Sequence, residues 1–115
     1  MRGFIPFAAL AAALAAGPVL AQGADDLRRV LYACEGGRAM EVAFLNTAGG
    51  NSYAFVLVDG EMIPMQVAVS ASGARYLSLE GQPTRQLWEA RGQAELVALE
   101  GGTETPLRRD CVPTR

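Results

Sequence analysis

YAFVLVDGEMIPMQV, residues 53–67, is the stretch whose reading decides the fold. Tyr53, Phe55 and Leu57 alternate with Ala54, Val56 and Val58, the period of two that a β-strand imposes on its side chains. Asp59-Gly60 comes next. Both central residues of a type I′ turn need positive φ, which this pair tolerates, so a hairpin is expected here. The return strand carries Met62, Met65 and Val67. Pro64 within it can donate no ladder bond, which marks an edge or a bulge.

Outward from the hairpin the same grammar repeats. Met40, Val42 and Phe44 alternate with Glu41, Ala43 and Leu45, and further strands are expected at 29–34, 75–79, 85–90, 93–99 and 107–112. Ala48-Gly49-Gly50-Asn51, Gly81-Gln82-Pro83 and Gly101-Gly102-Thr103 separate neighbours. That is eight short strands with no long helical period among them. Eight antiparallel strands form either a sandwich or an up-and-down barrel, and closure removes exposed edges. The expected fold is all-β, a small eight-stranded antiparallel barrel. Its strands are too short to leave a large ligand cavity, so side chains fill the interior.

The N-terminus stands apart. Met1-Arg2-Gly3 is basic, Phe4 to Leu20 is uncharged and rich in Ala and Leu, and Val19-Leu20-Ala21 ends on a small residue. This is the layout of a secretory signal. A membrane span needs about 20 strongly apolar residues, whereas this run is mostly Ala and is interrupted by Pro6, Gly17 and Pro18. Residues 1–21 are therefore expected to be a cleaved signal peptide and residues 22–115 the mature domain, with no stable membrane anchor. Of the ten basic and twelve acidic residues, the signal removes only Arg2, leaving nine against twelve and a net charge of −3.

The chain has no His and no Lys. Imidazole is the usual general base and the commonest metal ligand near neutral pH, so many hydrolase and metal-dependent schemes lose their main part. Mild acidity argues against nucleic acid as a partner. Cys34 and Cys111 are the two cysteines, near opposite ends of the mature domain, and outside the cytoplasm such a pair reads as a disulfide. A loop of that length stabilises the fold by about 4.5 kcal/mol in the chain-entropy model. A domain this small buries only about 60% of its chain surface, which is why it needs the link. Two cysteines alone make no metal site, and none is expected.

Chemistry could sit on the turn after Tyr32-Ala33-Cys34, in the small-residue loop Ser70-Ala71-Ser72-Gly73 entering Ala74-Arg75-Tyr76, or at Trp88-Glu89-Ala90-Arg91-Gly92. Each has a plain structural explanation. Ser-Gly is ordinary turn chemistry, Tyr76 and Trp88 fit a barrel core or wall, Arg91-Gly92 fits a hairpin tip, and Glu35 and Arg38 fit a surface pair.

Together these stretches resemble the inhibitors of c-type lysozyme from Gram-negative bacteria, a family with membrane-anchored and soluble periplasmic forms. The resemblance rests on YACEGG at 32–37, VAFLN at 42–46, DG at 59–60, SASGARY at 70–76, ARGQAELV at 90–97 and the late Cys111. It implies an eight-stranded antiparallel barrel, no enzymatic activity, no cofactor, and c-type lysozyme as protein partner. It further implies that a Ser-Gly-x-x-Tyr loop enters the lysozyme cleft, assisted by a basic residue before Gly on a neighbouring hairpin. By position these are Ser72, Gly73 and Tyr76, with Arg91 where the family usually has Lys. With no Cys after the cleavage point, the soluble periplasmic type is implied. Two other classes stay open. One is an enzyme with Ser72 as nucleophile, whose base would have to be a carboxylate or the amino terminus. The other is a binding module for a different envelope target, such as a lytic transglycosylase, a peptidoglycan fragment or a small apolar ligand.

Overall fold

The computed structural model describes residues 23–70 and 73–114; the expected signal peptide, 1–21, lies outside the described residues. The chain forms β1 (Asp26–Cys34), β2 (Arg38–Asn46), β3 (Ser52–Val58), β4 (Glu61–Ala68), β5 (Ala74–Ser78), β6 (Thr84–Ala90), β7 (Gln93–Glu100) and β8 (Thr103–Pro113). Each strand pairs antiparallel with the next, and β8 returns to β1, so the barrel is closed and up-and-down. A single 3-10 turn, Glu35–Gly37, joins β1 to β2.

The 53–67 hairpin forms as expected. Asp59 and Gly60 take φ of 50° and 77°, the pair of left-handed conformations that a two-residue turn needs. In β3 both alternating sets are apolar, and the smaller one turns inward: Ala54, Val56 and Val58 are buried. An eight-stranded barrel is only wide enough for side chains to fill it, and Phe44, Met65, Tyr76 and Leu87 already occupy the same cluster. Tyr53, Phe55 and Leu57 therefore face outward.

A closed barrel has no edge strand, so Pro64 is accommodated locally. Pro64 lies opposite Phe55, and its carbonyl accepts from the Leu79 amide at 3.0 Å. Its nitrogen points to the same side, towards a neighbour that has ended, because β5 stops at Ser78. Beyond that short strand β6 reaches β4 directly. The Arg85 guanidinium forks onto Glu61 at 3.2 and 3.0 Å and holds that carboxyl below its usual range.

β8 solves the harder problem of meeting β7 along most of its length and β1 at its end. Its register with β7 slips between Ala94 and Leu96 and again between Leu96 and Val97. Leu107 is the extra residue of the first bulge along β8. Arg109 and Asp110 together oppose Glu95 in the second, with Asp110 at φ 51°. Each bulge changes which side chains face inward, so Arg108 and Cys111 are both buried although three residues apart. Arg108 closes the end of the barrel that carries the 59–60 turn. It donates to the carbonyls of Ala39 and Leu107, both at 2.9 Å, and to Asp59 Oδ1 at 2.7 Å. Cys111 reaches Cys34 and forms the disulfide, across a sequence separation of 77.

The expected Glu35–Arg38 pair is replaced by a different one. Glu35 meets Arg109 at 3.4 Å across the same seam, both side chains about half exposed. Such a pair adds little on its own.

Replacing both cysteines with Ala should lower the unfolding free energy by about 2–5 kcal/mol, measured by urea denaturation. Burial, with a smaller contribution from the Glu89 carboxylate, pushes the Tyr32 hydroxyl from 10.0 up to about 12 and raises that of Tyr76. The unfolded chain ionises these groups first. The stabilisation from Tyr32 is therefore full below pH 10.0 and lost as pH rises towards 12, and that from Tyr76 is lost in the same direction. Circular dichroism across that window should show the loss, with a shallower slope in Tyr76→Phe.

Candidate functional site

Strand alternation gathers the 47–51 loop, the 69–73 connection and the 91–92 turn at the end of the barrel opposite Arg108. The 69–73 connection spans the gap between β4 and β5, and its described residues are held from both sides. Arg75 faces outward on β5, on the opposite side from Tyr76. Its guanidinium donates from Nη2 and Nε to the Val69 carbonyl, at 2.9 and 3.3 Å, and from Nη1 to Gln86 Oε1 at 3.0 Å. The same group lies 5.9 Å from the Trp88 ring centroid. Gln86 sits on the outer wall yet is buried, which keeps water from competing for that bond.

Gly73 holds the other side. It takes φ +67°, and a Cβ there would lie 2.8 Å from both the Ala90 Cβ and the Glu89 carbonyl oxygen. No side chain fits without moving backbone, so glycine is what allows the chain at 73 to lie flush on the end of β6. Arg91 and Gly92, at φ 55° and 79°, form the two-residue turn from β6 to β7. Gly73, Ala74, Glu89, Ala90, Arg91 and Gln93 line one groove between the loop and this turn. Arg91 is exposed and, among the described residues, has no ion-pair partner.

Tyr76 works from beneath. It is 6% exposed, pairs in register with Val67 and Leu87, and meets the Phe44 ring at 5.8 Å between centroids, tilted by 54°. On the inner face at this end the Arg28 guanidinium lies 4.7 Å from the Phe44 centroid. The Glu89 carboxylate is close enough to act on both buried tyrosine hydroxyls. Tyr76 thus packs the barrel under the loop and offers little surface to a partner.

Of the four residues implied by the resemblance, the structure brings Gly73 and Arg91 into one groove and buries Tyr76 below it. Ser72 lies outside the described residues. Arg75 and Gln86 were not singled out by the sequence, although alternation alone places Arg75 opposite Tyr76. Among the described residues no cluster of acidic or sulfur side chains could hold a metal ion.

Comparison with known proteins bears on this geometry. Residues 32–105 match the family model described as membrane-bound lysozyme-inhibitor of c-type lysozyme. The chain is 39% identical over 80 residues to a protein of Cupriavidus necator named membrane-bound lysozyme inhibitor of C-type lysozyme. That match covers 65% of this chain and 63% of the relative's length. Its fold is similar to the crystal structure of a periplasmic lysozyme inhibitor of C-type lysozyme from Salmonella typhimurium, with a TM-score of 0.70 and 32% identity. That similarity covers 78% of this chain and all of the other.

Bonds to a charged donor contribute about 1.5–3 kcal/mol each. Arg75→Ala should therefore accelerate amide exchange across residues 69–74 about tenfold or more, read by hydrogen–deuterium exchange. Gly73→Ala should lower the melting temperature, because its methyl group meets backbone.

Proposed function

The chain belongs to the family of membrane-bound lysozyme inhibitors of c-type lysozyme, and from that premise we propose that its mature domain inhibits c-type lysozyme by plugging the cleft with the 69–73 loop. The observation that carries the reading is the groove in which Gly73 and Arg91 lie side by side, with the base of the loop held by Arg75. A loop fixed before binding loses less conformational entropy on docking.

A retaining glycosidase of this kind has two carboxyl groups about 5–5.5 Å apart, one kept protonated as general acid. In the proposed complex the Ser72 hydroxyl lies between them, donating to the ionised group and accepting from the protonated one. A hydroxyl can do both at once. Arg91, at the adjacent turn and without an ion-pair partner among the described residues, neutralises the ionised carboxylate, where a charge-assisted bond is about twice as strong as a neutral one. Its planar fork suits a carboxylate bidentately in a way that a lysine ammonium does not. Tyr76 keeps the loop seated from inside the barrel. No bond is made or broken in the inhibitor. The same reading has residues 1–21 removed on export and the mature domain soluble in the periplasm.

Ser72→Ala and Arg91→Ala should each weaken inhibition about ten- to a hundredfold, read as the inhibition constant against hen-type lysozyme clearing a cell-wall suspension. Melting temperatures should stay within a degree or two of the parent. Full inhibition by both variants would remove the loop from the mechanism. The net charge of −3 should also make association with a cationic lysozyme slow down as salt rises.

A further inference from the structure

The loop and the Arg91 turn are too small to form a stable interface alone, since specific complexes bury about 800 Å² on each partner. The surface that continues from them is a second groove, on the outer wall of β6, β7 and β8. Trp88, Glu95, Arg109 and Asp110 line it, and Ala90 and Gln93 are shared with the first groove. Trp88 stands directly opposite Glu95 in register, and the β8 bulge places Asp110 beside them. Arg109 is engaged with Glu35, whereas among the described residues neither Glu95 nor Asp110 has an ion-pair partner.

The Trp88 indole already has the Arg75 guanidinium 5.9 Å from its centroid, and beside two carboxylates without an ion-pair partner among the described residues it makes a receptor for a further cation on a flexible stem. We propose that this groove is a second contact in the inhibitor complex and receives an arginine or lysine side chain of the lysozyme from beside its cleft. The inference rests on the inhibitor reading. Continuity with the loop site and the acidic balance of the lining favour a basic protein side chain over a neutral sugar.

Trp88 is the chain's single tryptophan, so protein labelled with ¹⁵N has one indole resonance. On titration with unlabelled hen-type lysozyme that resonance should shift together with the Gly73 amide. The double variant Glu95→Gln, Asp110→Asn should bind about tenfold more weakly with an unchanged melting temperature, since Asn tolerates the positive φ at 110. A Gly73 shift with a still indole, or undiminished affinity in the double variant, would overturn the second contact and leave the inhibitor reading standing. No shift at either position would overturn both. An indole that moves with tri-N-acetylglucosamine but not with lysozyme would make the groove a sugar site instead.

Discussion

Closure of the barrel depends on a short seam. β1 and β8 share two register pairs, Tyr32 with Pro113 and Ala33 with Val112, where other neighbouring strands share four to nine. Thr114 extends the seam by donating its amide and its hydroxyl to the Leu31 carbonyl. The Cys34–Cys111 bond then makes the junction covalent. Without it, two strands would present unpaired amides and carbonyls to solvent. The interior that encloses Tyr76, Phe44 and Met65 would have one wall free to swing.

That constraint divides the molecule between its ends. One end is closed by the buried Arg108, whose three acceptors come from β2, β8 and the 59–60 turn. Burying a guanidinium is costly unless every donor direction is met, and here the backbone meets two of them. The other end carries the 69–73 loop and the Arg91 turn, and there a second arginine, Arg75, ties the loop to the wall. With no lysine in the chain, both tasks fall to guanidinium groups, which hold several acceptors in one plane.

Most of the architecture was legible because period two and glycine turns are local signals. The eight strands and the Asp59-Gly60 and Arg91-Gly92 turns follow from neighbouring residues alone, and the cysteine pair from its even number in a chain with an export signal. Three things were not. In β3 both faces are apolar, so alternation could not choose between them; the width of the interior did. Pro64 reads as a mark of an edge or a bulge because sequence does not reveal that β5 stops one pairing early. Arg108 was invisible because two bulges break the alternation on either side of it. At the candidate site the turn chemistry of Gly73 and Arg91-Gly92 was readable, but their meeting in one groove depends on the pairing of β5 with β6. Arg75 lies within the 70–76 stretch, but its hold on the Val69 carbonyl is not legible there, because a carbonyl has no sequence signature.

The bulges in β8 also set how this segment can change in length. Loops such as 47–51 hang from strand ends and can gain or lose a residue with little effect on what lies behind them. Between Arg108 and Cys111 the spacing itself decides which way each later side chain points. A single insertion there, with the bulge kept, would turn Cys111 towards solvent and away from Cys34. Insertions should therefore accumulate at the open end of the barrel and be excluded from this stretch of its last strand.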